Sequence, residues 1–258
     1  METPPTLFHF AAQVGLTKHM GGVEATEALV QQCHIGADSC VLDVGCGVGA
    51  SACFLARRYG CRVVGVDILP EMAARSQERA KRERLADRVT FRVADAQALP
   101  FADGVFDTVL SESATSFPDD KARAVDEYAR VTKAGGYVGL SESVWLKAPP
   151  PPAVAAWVAQ DVGATVQPLT TEEWVRLLEA ANLTVIGAQT FTVNTKDEAK
   201  GLVQRYGLGG TLRAVWGMLQ LYARSAEYRR FVQGVRRGGV LPPNLEEFFG
   251  YGLFVGRK

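Results

Sequence analysis

The feature of this sequence that most constrains its fold is a glycine-rich turn that directly follows an apolar segment. The turn occupies Gly45–Gly49, and the preceding residues Cys40–Val44 are mostly apolar, which indicates a buried strand. Glycine has no Cβ and adopts positive φ angles, so such a turn lets the backbone lie close to a ligand. Ligands of α/β sheets bind beyond the carboxyl ends of the strands, and the sequence therefore predicts a binding site at this turn.

Strand and helix patterns alternate through much of the chain. The predicted strands are Cys40–Val44, Arg62–Val66, Val89–Val93, Phe106–Leu110, Tyr137–Ser141, Leu183–Thr190 and Phe248–Val255. The predicted helices are Ala50–Tyr59, Pro70–Leu85, Lys121–Thr132, which Gly135 and Gly136 are expected to end, and Trp174–Ala181. Strands separated by helices form parallel βαβ units with right-handed crossovers, so we expect an α/β, doubly wound, Rossmann-like fold.

The chain divides into three predicted parts. Residues 1–38 form an N-terminal helical cover, residues 39–190 and 248–258 form the core, and residues 191–247 form a helical insertion before the last strand. Apolar residues from Leu212 to Tyr222 recur in the insertion at helical spacing. They suit either a roof over an apolar substrate or the insertion's own packing. The proline run Ala148–Pro152 is expected to be a linker or a rigid loop edge.

Composition limits the class of partner. Lys+Arg and Asp+Glu are both 28, so the net charge of +0 argues against a nucleic-acid partner. No apolar run is long enough to span a bilayer, and the N-terminus lacks the pattern of a signal peptide. The five cysteines lack zinc-binding spacing and suit free thiols, so we expect a cytoplasmic location and no bound metal. The oligomeric state stays open, with a homodimer as one possibility.

The residues around the turn favour one nucleotide cofactor over another. Gly45, Gly47 and Ala50 satisfy the dinucleotide pattern G-x-G-x-x-A, and Asp67 ends the second strand where an NAD enzyme binds a ribose hydroxyl. However, Asp43 lies two residues before Gly45, and its carboxylate would repel a pyrophosphate and attract an ammonium group. Asp95, after the third strand, is placed to accept a hydrogen bond from an exocyclic amine such as that of adenine.

With these residues, the chain resembles the class I S-adenosylmethionine-dependent methyltransferases. The stretches that carry the resemblance are Val41–Gly49, Val63–Asp67, Val93–Phe101, Phe106–Pro118 and Glu127–Gly139. The resemblance implies S-adenosylmethionine as the cofactor and a seven-stranded, mostly parallel sheet whose last strand is antiparallel. It also assigns residues to parts of the cofactor. Asp43, Gly45, Cys46, Gly47 and Gly49 would surround the methionine moiety, Asp67 the ribose, Ile68, Asp95 and Ala96 the adenine, and Ser111 the floor of the site.

The segment after the fourth strand points to the class of methyl acceptor. Ser111–Asp119 lacks the Asn/Asp-Pro-Pro-Tyr/Phe tetrapeptide of enzymes that methylate nucleic-acid and glutamine amines. It resembles the branch that acts on small molecules, which includes the tocopherol, sterol, quinone and phosphoethanolamine methyltransferases. We therefore expect methyl transfer to O, N, C or S of a small molecule.

Two carboxylates and one imidazole are candidates for the chemistry. Glu112 and Glu142 lie at predicted strand ends, where each could act as a general base or bind a cationic substrate. Alternatively, each caps a helix or binds backbone amides. His19 belongs to a segment that covers the cofactor in similar enzymes, and either a catalytic or a packing role fits it.

Two other functions are compatible with the sequence. An NAD-dependent oxidoreductase would use the same glycine turn and Asp67. A protein that binds S-adenosylmethionine without catalysing transfer would keep the cofactor residues and act through partners. Binding measurements with S-adenosylmethionine and with NAD would identify an oxidoreductase. Formation of S-adenosylhomocysteine with a candidate acceptor would then separate a methyltransferase from a non-catalytic binding protein.

Overall fold

The computed structural model describes residues 7–17, 19–160, 166–193, 195–237, 242 and 244–258. The strands are β1 (Cys40–Val44), β2 (Arg62–Asp67), β3 (Val89–Val93), β4 (Phe106–Glu112), β5 (Thr132–Trp145), β6 (Leu169–Thr170), β7 (Thr184–Thr192) and β8 (Phe249–Arg257). The helices are α1 (Leu7–Val14), α2 (Gly22–Gln32), α3 (Ala50–Tyr59), α4 (Pro70–Arg82), α5 (Lys121–Val131), α6 (Pro152–Gln160), α7 (Thr171–Ala180), α8 (Thr195–Arg224), α9 (Ala226–Arg237) and α10 (Leu245–Phe248).

Seven strands form a sheet in the order β3-β2-β1-β4-β5-β8-β7, and the two-residue strand β6 pairs with β5 outside this order. The pairs from β3 to β5 are parallel, whereas β8 lies antiparallel between β5 and β7. This arrangement confirms the predicted α/β fold with an antiparallel last strand. The strand order reverses between β1 and β4, and that reversal opens a crevice at their carboxyl ends.

Helices cover both faces of the sheet. On one face, α5 and α7 bury Tyr128, Trp174 and Leu178 against β4, β5 and β8. On the other face, α2 and α3 bury Leu29 and Leu55 with residues of β1, β2 and β8. Because both faces are covered, the central strands are apolar on both sides, as expected for a parallel sheet.

The N-terminal helix α1 lies over the glycine turn, where Ala12 packs with Val48 and Met72. Arginines of α4 hold the end of this segment. Arg75 Nε donates to the Ala12 carbonyl oxygen at 3.0 Å, and Arg79 Nη2 donates to the Gly15 carbonyl oxygen at 3.2 Å. The charge-rich helix α4 therefore uses part of its basic face to fix the N-terminal segment over the sheet edge.

The structure differs from the sequence prediction around β5. The predicted strand Tyr137–Ser141 is the centre of a longer strand, and Gly135 and Gly136 lie inside it instead of ending a helix. The chain's last residue explains this, since Gly135 N–H donates to the Lys258 carbonyl oxygen and Lys258 N–H donates to that of Gly136. After the proline run, Pro152 begins α6, because proline suits the first turn of a helix.

Helix α8 has the predicted helical pattern, and several of its large apolar side chains are exposed. Leu212, Trp216 and Leu219 are 68%, 62% and 59% exposed, whereas Ala214 is buried. The small residue Gly217 faces Val14 of α1. Small residues let two helices approach closely, so α8 packs through its small face and leaves its large apolar face exposed. None of the described helices is long and apolar enough to cross a membrane.

We expect Trp174→Ala to destabilise the protein by about 3–5 kcal/mol, because it removes a large buried side chain. Trp174 is fully buried, lies 6.0 Å from the ring of Phe254, and donates from Nε1 to the Ser143 carbonyl oxygen at 3.1 Å. Urea unfolding gives the free energy of unfolding. The matched control is Trp216→Ala on the exposed face of α8, which should change stability by less than about 0.5 kcal/mol. Equal effects of the two changes would contradict this assignment of the core.

Candidate active site

A cavity of about 460 Å³ lies at the carboxyl ends of β1, β2 and β4, beside the reversal of strand order. This volume is in the range that holds one small organic ligand. Its lining combines carboxylates with aromatic and aliphatic side chains. The lining residues used below are Phe8, Thr17, His19, Asp43, Gly45, Cys46, Gly47, Ser51, Asp67, Ile68, Asp95, Ala96, Glu112, Ser113, Ala114, Phe117 and Arg205.

The glycine turn requires its glycines because other parts of the chain lie against it. Gly45, Gly47 and Gly49 have φ angles of 71°, 54° and 73°. A Cβ on Gly45 would lie 2.2 Å from the Cβ of Ala114, and one on Gly47 would lie 2.9 Å from Thr17 Oγ1. The turn is thus enclosed by the loop after β4 and by the N-terminal segment. A side chain at Gly45 would displace that loop from the cavity wall.

Asp67 fixes the turn to the end of β2. Its Oδ2 accepts from Gly47 N–H at 2.9 Å, and its Oδ1 accepts from Leu69 N–H at 3.0 Å. Burial raises the pKa of this carboxyl above its usual range, and the backbone donors oppose that rise. The next residue, Ile68, is 62% exposed and lines the cavity. A carboxylate followed by an exposed apolar side chain can accept from ribose hydroxyls and cover an adenine ring.

Asp43 carries a buried carboxylate oxygen without a partner. The side chain is 2% exposed, and Ala52 N–H donates to the carboxylate. Its Oδ2 has no donor among the residues that the structure describes. Burial, followed by the charge of Glu112, raises the pKa of Asp43 to about 7. An orphaned oxygen in the cavity wall is suited to an ammonium donor from a ligand, because that donor would supply both a hydrogen bond and a counter-charge.

Glu112, at the end of β4, is held as an ionised carboxylate. Its Oε1 accepts from Thr26 Oγ1 and its Oε2 from Ser51 Oγ, both at 2.6 Å. Burial would raise the pKa of Glu112, but the charge of His19 when that ring is protonated, the charge of Arg205 and the two hydroxyl donors outweigh burial and hold this pKa below its usual range. A carboxylate stabilised in this way is a weak general base. It serves better as a fixed negative charge in the cavity wall.

His19 lies against Glu112 as a neutral imidazole. Its Nδ1 is 3.6 Å from Glu112 Oε1 and 3.1 Å from the Met20 carbonyl oxygen. Burial lowers the pKa of His19 to about 4, and the charge of Glu112 only partly offsets this. A carbonyl oxygen can only accept, so the ring proton belongs on Nδ1. Nε2 lies 3.4 Å from Thr26 Oγ1 and keeps its lone pair, because Thr26 donates its hydrogen to Glu112. His19 thus adds one neutral hydrogen-bond acceptor to the residues that line the cavity.

Glu142 and Ser111 were predicted to face the cleft, but the structure places both outside the cavity lining. Glu142 is fully buried, and its Oε1 accepts from Ala114 and Thr115 N–H at 3.0 Å and 2.7 Å. Ser111 Oγ lies 2.7 Å from Thr115 Oγ1 in the same buried network. Both residues position the loop after β4, which lies against Gly45. The alternative that Glu142 binds backbone amides is the one that matches these contacts.

The remaining predicted cofactor residues fall at the cavity with one exception. Asp95 and Ala96 lie in the wall after β3, whereas Gly49 lies outside the lining, next to Phe91 and Ser76. The predicted residues that line the cavity are Asp43, Gly45, Cys46, Gly47, Asp67, Ile68, Asp95 and Ala96. Burial raises the pKa of the Cys46 thiol well above its usual range, which makes this cysteine a poor nucleophile.

Several residues that line or support the cavity had no signal in the sequence. Ser51 and Thr26 contact Glu112 from α3 and α2, and Arg205 reaches the cavity from α8, 154 residues beyond its partner Ser51. Phe8 and Phe117 meet edge to face at 5.1 Å in the wall. Single hydroxyls and aromatic residues form no motif, and only the folded chain brings these segments together.

Comparison with known proteins gives a family match over the central part of the chain. A family model described as "Methyltransferase domain" matches residues 42–140. An uncharacterized protein of Haemophilus influenzae is 30% identical over 227 residues, covering 86% of this chain and 89% of the relative. The chloroplastic tocopherol O-methyltransferase of Arabidopsis thaliana is 41% identical over 98 residues, but these cover 38% of this chain and 28% of that protein. The chain thus matches much less than half of that characterised relative's length.

A solved structure extends the likeness in fold to nearly the whole chain. The [4+2]-cyclase SpnF superposes with a TM-score of 0.75, covers 99% of this chain and 98% of its own, and is 20% identical. At this identity the likeness concerns the fold alone. It includes the segments on either side of the family match.

We expect the free energy of unfolding of Asp43→Asn to increase relative to that of the wild type as the pH rises from about 4 to 7. The folded carboxyl, with a pKa of about 7, keeps a proton that the unfolded chain loses near the usual pKa of 3.8, so the wild type loses stability over this interval. Above pH 7 the difference should stay constant. Urea unfolding at pH 5, 6, 7 and 8 measures the free energy of unfolding.

The matched control is Asp126→Asn, a change of the same type on the exposed face of α5. Its effect on stability should vary little over the same pH values. A pH-independent difference between Asp43→Asn and the wild type would contradict the raised pKa of Asp43.

Proposed function

The chain belongs to the class I S-adenosylmethionine-dependent methyltransferases, and from this membership we propose that it methylates an uncharged oxygen or nitrogen atom of an apolar small molecule. The observation that carries the proposal is the unpartnered Oδ2 of Asp43 in a cavity wall that also contains the ionised Glu112. Two buried carboxylates attract a ligand with positive groups. They disfavour the pyrophosphate of NAD, which would bring further negative charge.

The residues present fit S-adenosylmethionine. When bound, this cofactor would supply an electrophilic methyl group on a sulfonium sulfur. Asp43 would accept from its ammonium group, Asp67 from its ribose hydroxyls, and Asp95 from its adenine amine, while Ile68 would cover the ring. These assignments are the ones that the family resemblance implies, and they are supported by the lining, because all three carboxylates lie in the cavity wall and can accept hydrogen bonds.

The chain contributes to transfer mainly by positioning and by electrostatics. Glu112 stays ionised and places negative charge beside the reacting groups, and its hydroxyl partners hold it in one orientation. Orientation of reactants can supply about 7–11 kcal/mol in favourable systems. Glu142 acts indirectly, because it fixes the loop that carries Ser113 and Ala114 in the cavity wall. We therefore propose it as a positioning residue.

His19 is the residue we propose to orient the acceptor. Its neutral Nε2 can accept the hydrogen of a hydroxyl or amine, which turns a lone pair of the acceptor toward the methyl group. Phe8 and Phe117 provide an apolar wall for the body of the acceptor. The O-methyltransferase activity in the name of the Arabidopsis thaliana relative agrees with a hydroxyl acceptor.

All five cysteines are free, which suits a reducing compartment, and we propose the cytoplasm as the location. The pKa values of Cys33 and Cys53 are raised to about 12, chiefly by burial. Such thiols resist oxidation and ligand binding, so they serve as core residues.

The function is tested in two steps. Isothermal titration should show binding of S-adenosylmethionine and no binding of NAD. Incubation with a panel of phenols, alcohols and amines on apolar ring systems should then yield S-adenosylhomocysteine and a product heavier by one methylene unit, both detected by mass spectrometry. Tight NAD binding without S-adenosylmethionine binding would contradict the family's chemistry here. Cofactor binding with no turnover on any acceptor would favour a non-catalytic binding protein.

We expect the affinity for S-adenosylmethionine to rise roughly five- to tenfold between pH 6 and pH 7.5. Over this interval Asp43, with a pKa of about 7, changes from mostly protonated to mostly ionised. The Asp43→Asn variant should bind more weakly and lose this pH dependence. Because any titration of the ligand itself appears in both proteins, the difference between their titration curves isolates Asp43. Parallel curves would exclude it as the cofactor's counter-charge.

His19→Asn should lower kcat by about 10²-fold, the lower end of the range for proton-handling groups, with little change in cofactor affinity. The change removes the Nε2 acceptor and leaves a smaller polar side chain. Formation of S-adenosylhomocysteine with an acceptor from the panel gives kcat, and titration gives the cofactor affinity. The control is His34→Asn, which alters an exposed histidine whose φ of 51° asparagine tolerates. Equal activity of both variants would rule out this role.

A further inference from the structure

Arg205 of α8 lines the cavity and has buried hydrogen-bond donors without a partner among the described residues. Its Nη2 donates to Ser51 Oγ at 2.9 Å. Its Nε and Nη1 are buried and have no acceptor within the part of the chain that the structure describes. A guanidinium carries five N–H donors in a plane and is always charged, so unused buried donors are costly unless a ligand completes them.

The contacts around Arg205 leave these donors open. Ser51 gives its own hydrogen to Glu112 Oε2 at 2.6 Å, so its lone pair is what Arg205 Nη2 contacts. Glu112 is thereby linked to Arg205 through a hydroxyl and not by a direct ion pair. Arg205 lowers the pKa of Asp43, Glu112 and His19 through its charge, which places it close to all three.

The charge of Arg205 is opposite in sign to the charges of the carboxylates in the cavity wall. Among the described lining residues it alone is permanently positive, whereas Asp43, Asp67, Asp95, Glu112 and Asp119 are acidic. It also lies at the start of α3, since Ser51 is the second residue of that helix. The first turn of a helix carries unsatisfied N–H groups and partial positive charge, so this corner of an otherwise acidic cavity suits an anion.

We propose that Arg205 binds the carboxylate of the cofactor's methionine moiety, so that helix α8 forms part of the cofactor site. This inference rests on the proposed function, because it assumes S-adenosylmethionine as the ligand. Asp43 would hold the ammonium group of the same amino-acid moiety. One end of the cofactor would then be held by a carboxylate from the sheet and a guanidinium from α8.

The neighbouring residue connects α8 to the glycine turn. Tyr206 OH donates to the Thr17 carbonyl oxygen at 2.5 Å and accepts from Thr17 N–H at 2.9 Å. Thr17 in turn lies against Gly47. Arg205 and Tyr206 therefore fix α8 and the N-terminal segment over the turn together. Removal of residues 191–247 should consequently weaken cofactor binding as well as acceptor binding.

The test compares S-adenosylmethionine with decarboxylated S-adenosylmethionine, which lacks only the carboxylate. Isothermal titration of the full chain gives both affinities for the wild type, Arg205→Gln and Arg205→Lys. We expect the wild type to bind the decarboxylated compound about 10- to 100-fold more weakly, the usual effect of a hydrogen bond to a charged group. The affinity of Arg205→Gln for S-adenosylmethionine should be lower than that of the wild type by the same factor. This variant should bind the decarboxylated compound no more weakly than it binds S-adenosylmethionine. The affinity of Arg205→Lys for S-adenosylmethionine should lie between those of the wild type and Arg205→Gln.

The matched control is Arg213→Gln, which removes an exposed arginine farther along α8 and should bind both compounds as the wild type does. If Arg205→Gln discriminates between the two compounds as strongly as the wild type, another group binds the carboxylate and the inference is wrong. If Arg205→Gln binds both as tightly as the wild type but raises the acceptor's KM, the guanidinium serves the acceptor, which also overturns it. Failure of the wild type to bind S-adenosylmethionine at all would instead overturn the proposed function, and the inference with it.

Discussion

The structure depends on two carboxylates that neighbouring strands bring to one buried place. Asp43 is the next-to-last residue of β1, and Glu112 is the last residue of β4. These two strands pair in parallel, so their carboxyl ends meet where the strand order reverses. Burying like charges together is unfavourable, and the chain responds differently at the two residues. Glu112 receives hydroxyl donors from α2 and α3 and stays ionised, whereas Asp43 keeps one oxygen unpartnered and has a pKa of about 7.

The segments outside the family match complete this site. The N-terminal segment supplies Thr17, His19 and Thr26, and α8 supplies Arg205. The core sheet alone would leave the glycine turn and Glu112 open to water, where their charges would be screened. Enclosure by α1, α2 and α8 lowers the local polarity, which strengthens every electrostatic interaction in the cavity. The segments outside the family match therefore set the electrostatics of Asp43 and Glu112, which lie inside it.

The sequence predicted best what depends on residues close together in the chain. Asp43, the glycine turn and Asp67 belong to one βαβ unit, and their order along the chain determines their arrangement in space. Glu142 was harder to interpret, because a carboxylate at a strand end faces either a ligand or backbone amides, and its buried loop contacts become visible only in the fold. Arg205 could not be predicted, since its partner lies 154 residues away and the small face of α8, not its apolar one, determines how the helix packs.

The two buried carboxylates also bear on the relative affinity of the site for the cofactor and for its product. Transfer of the methyl group converts the sulfonium of the cofactor to a neutral thioether, so the product carries one positive charge less. In the proposed site, the ionised Glu112 and the partly ionised Asp43 would stabilise the charged cofactor more than the neutral product. Because the pKa of Asp43 is about 7, loss of the positive ligand would favour reprotonation of its carboxyl and relieve the repulsion from Glu112. The repulsion between two buried carboxylates would therefore favour both the binding of the cationic cofactor and the release of its product.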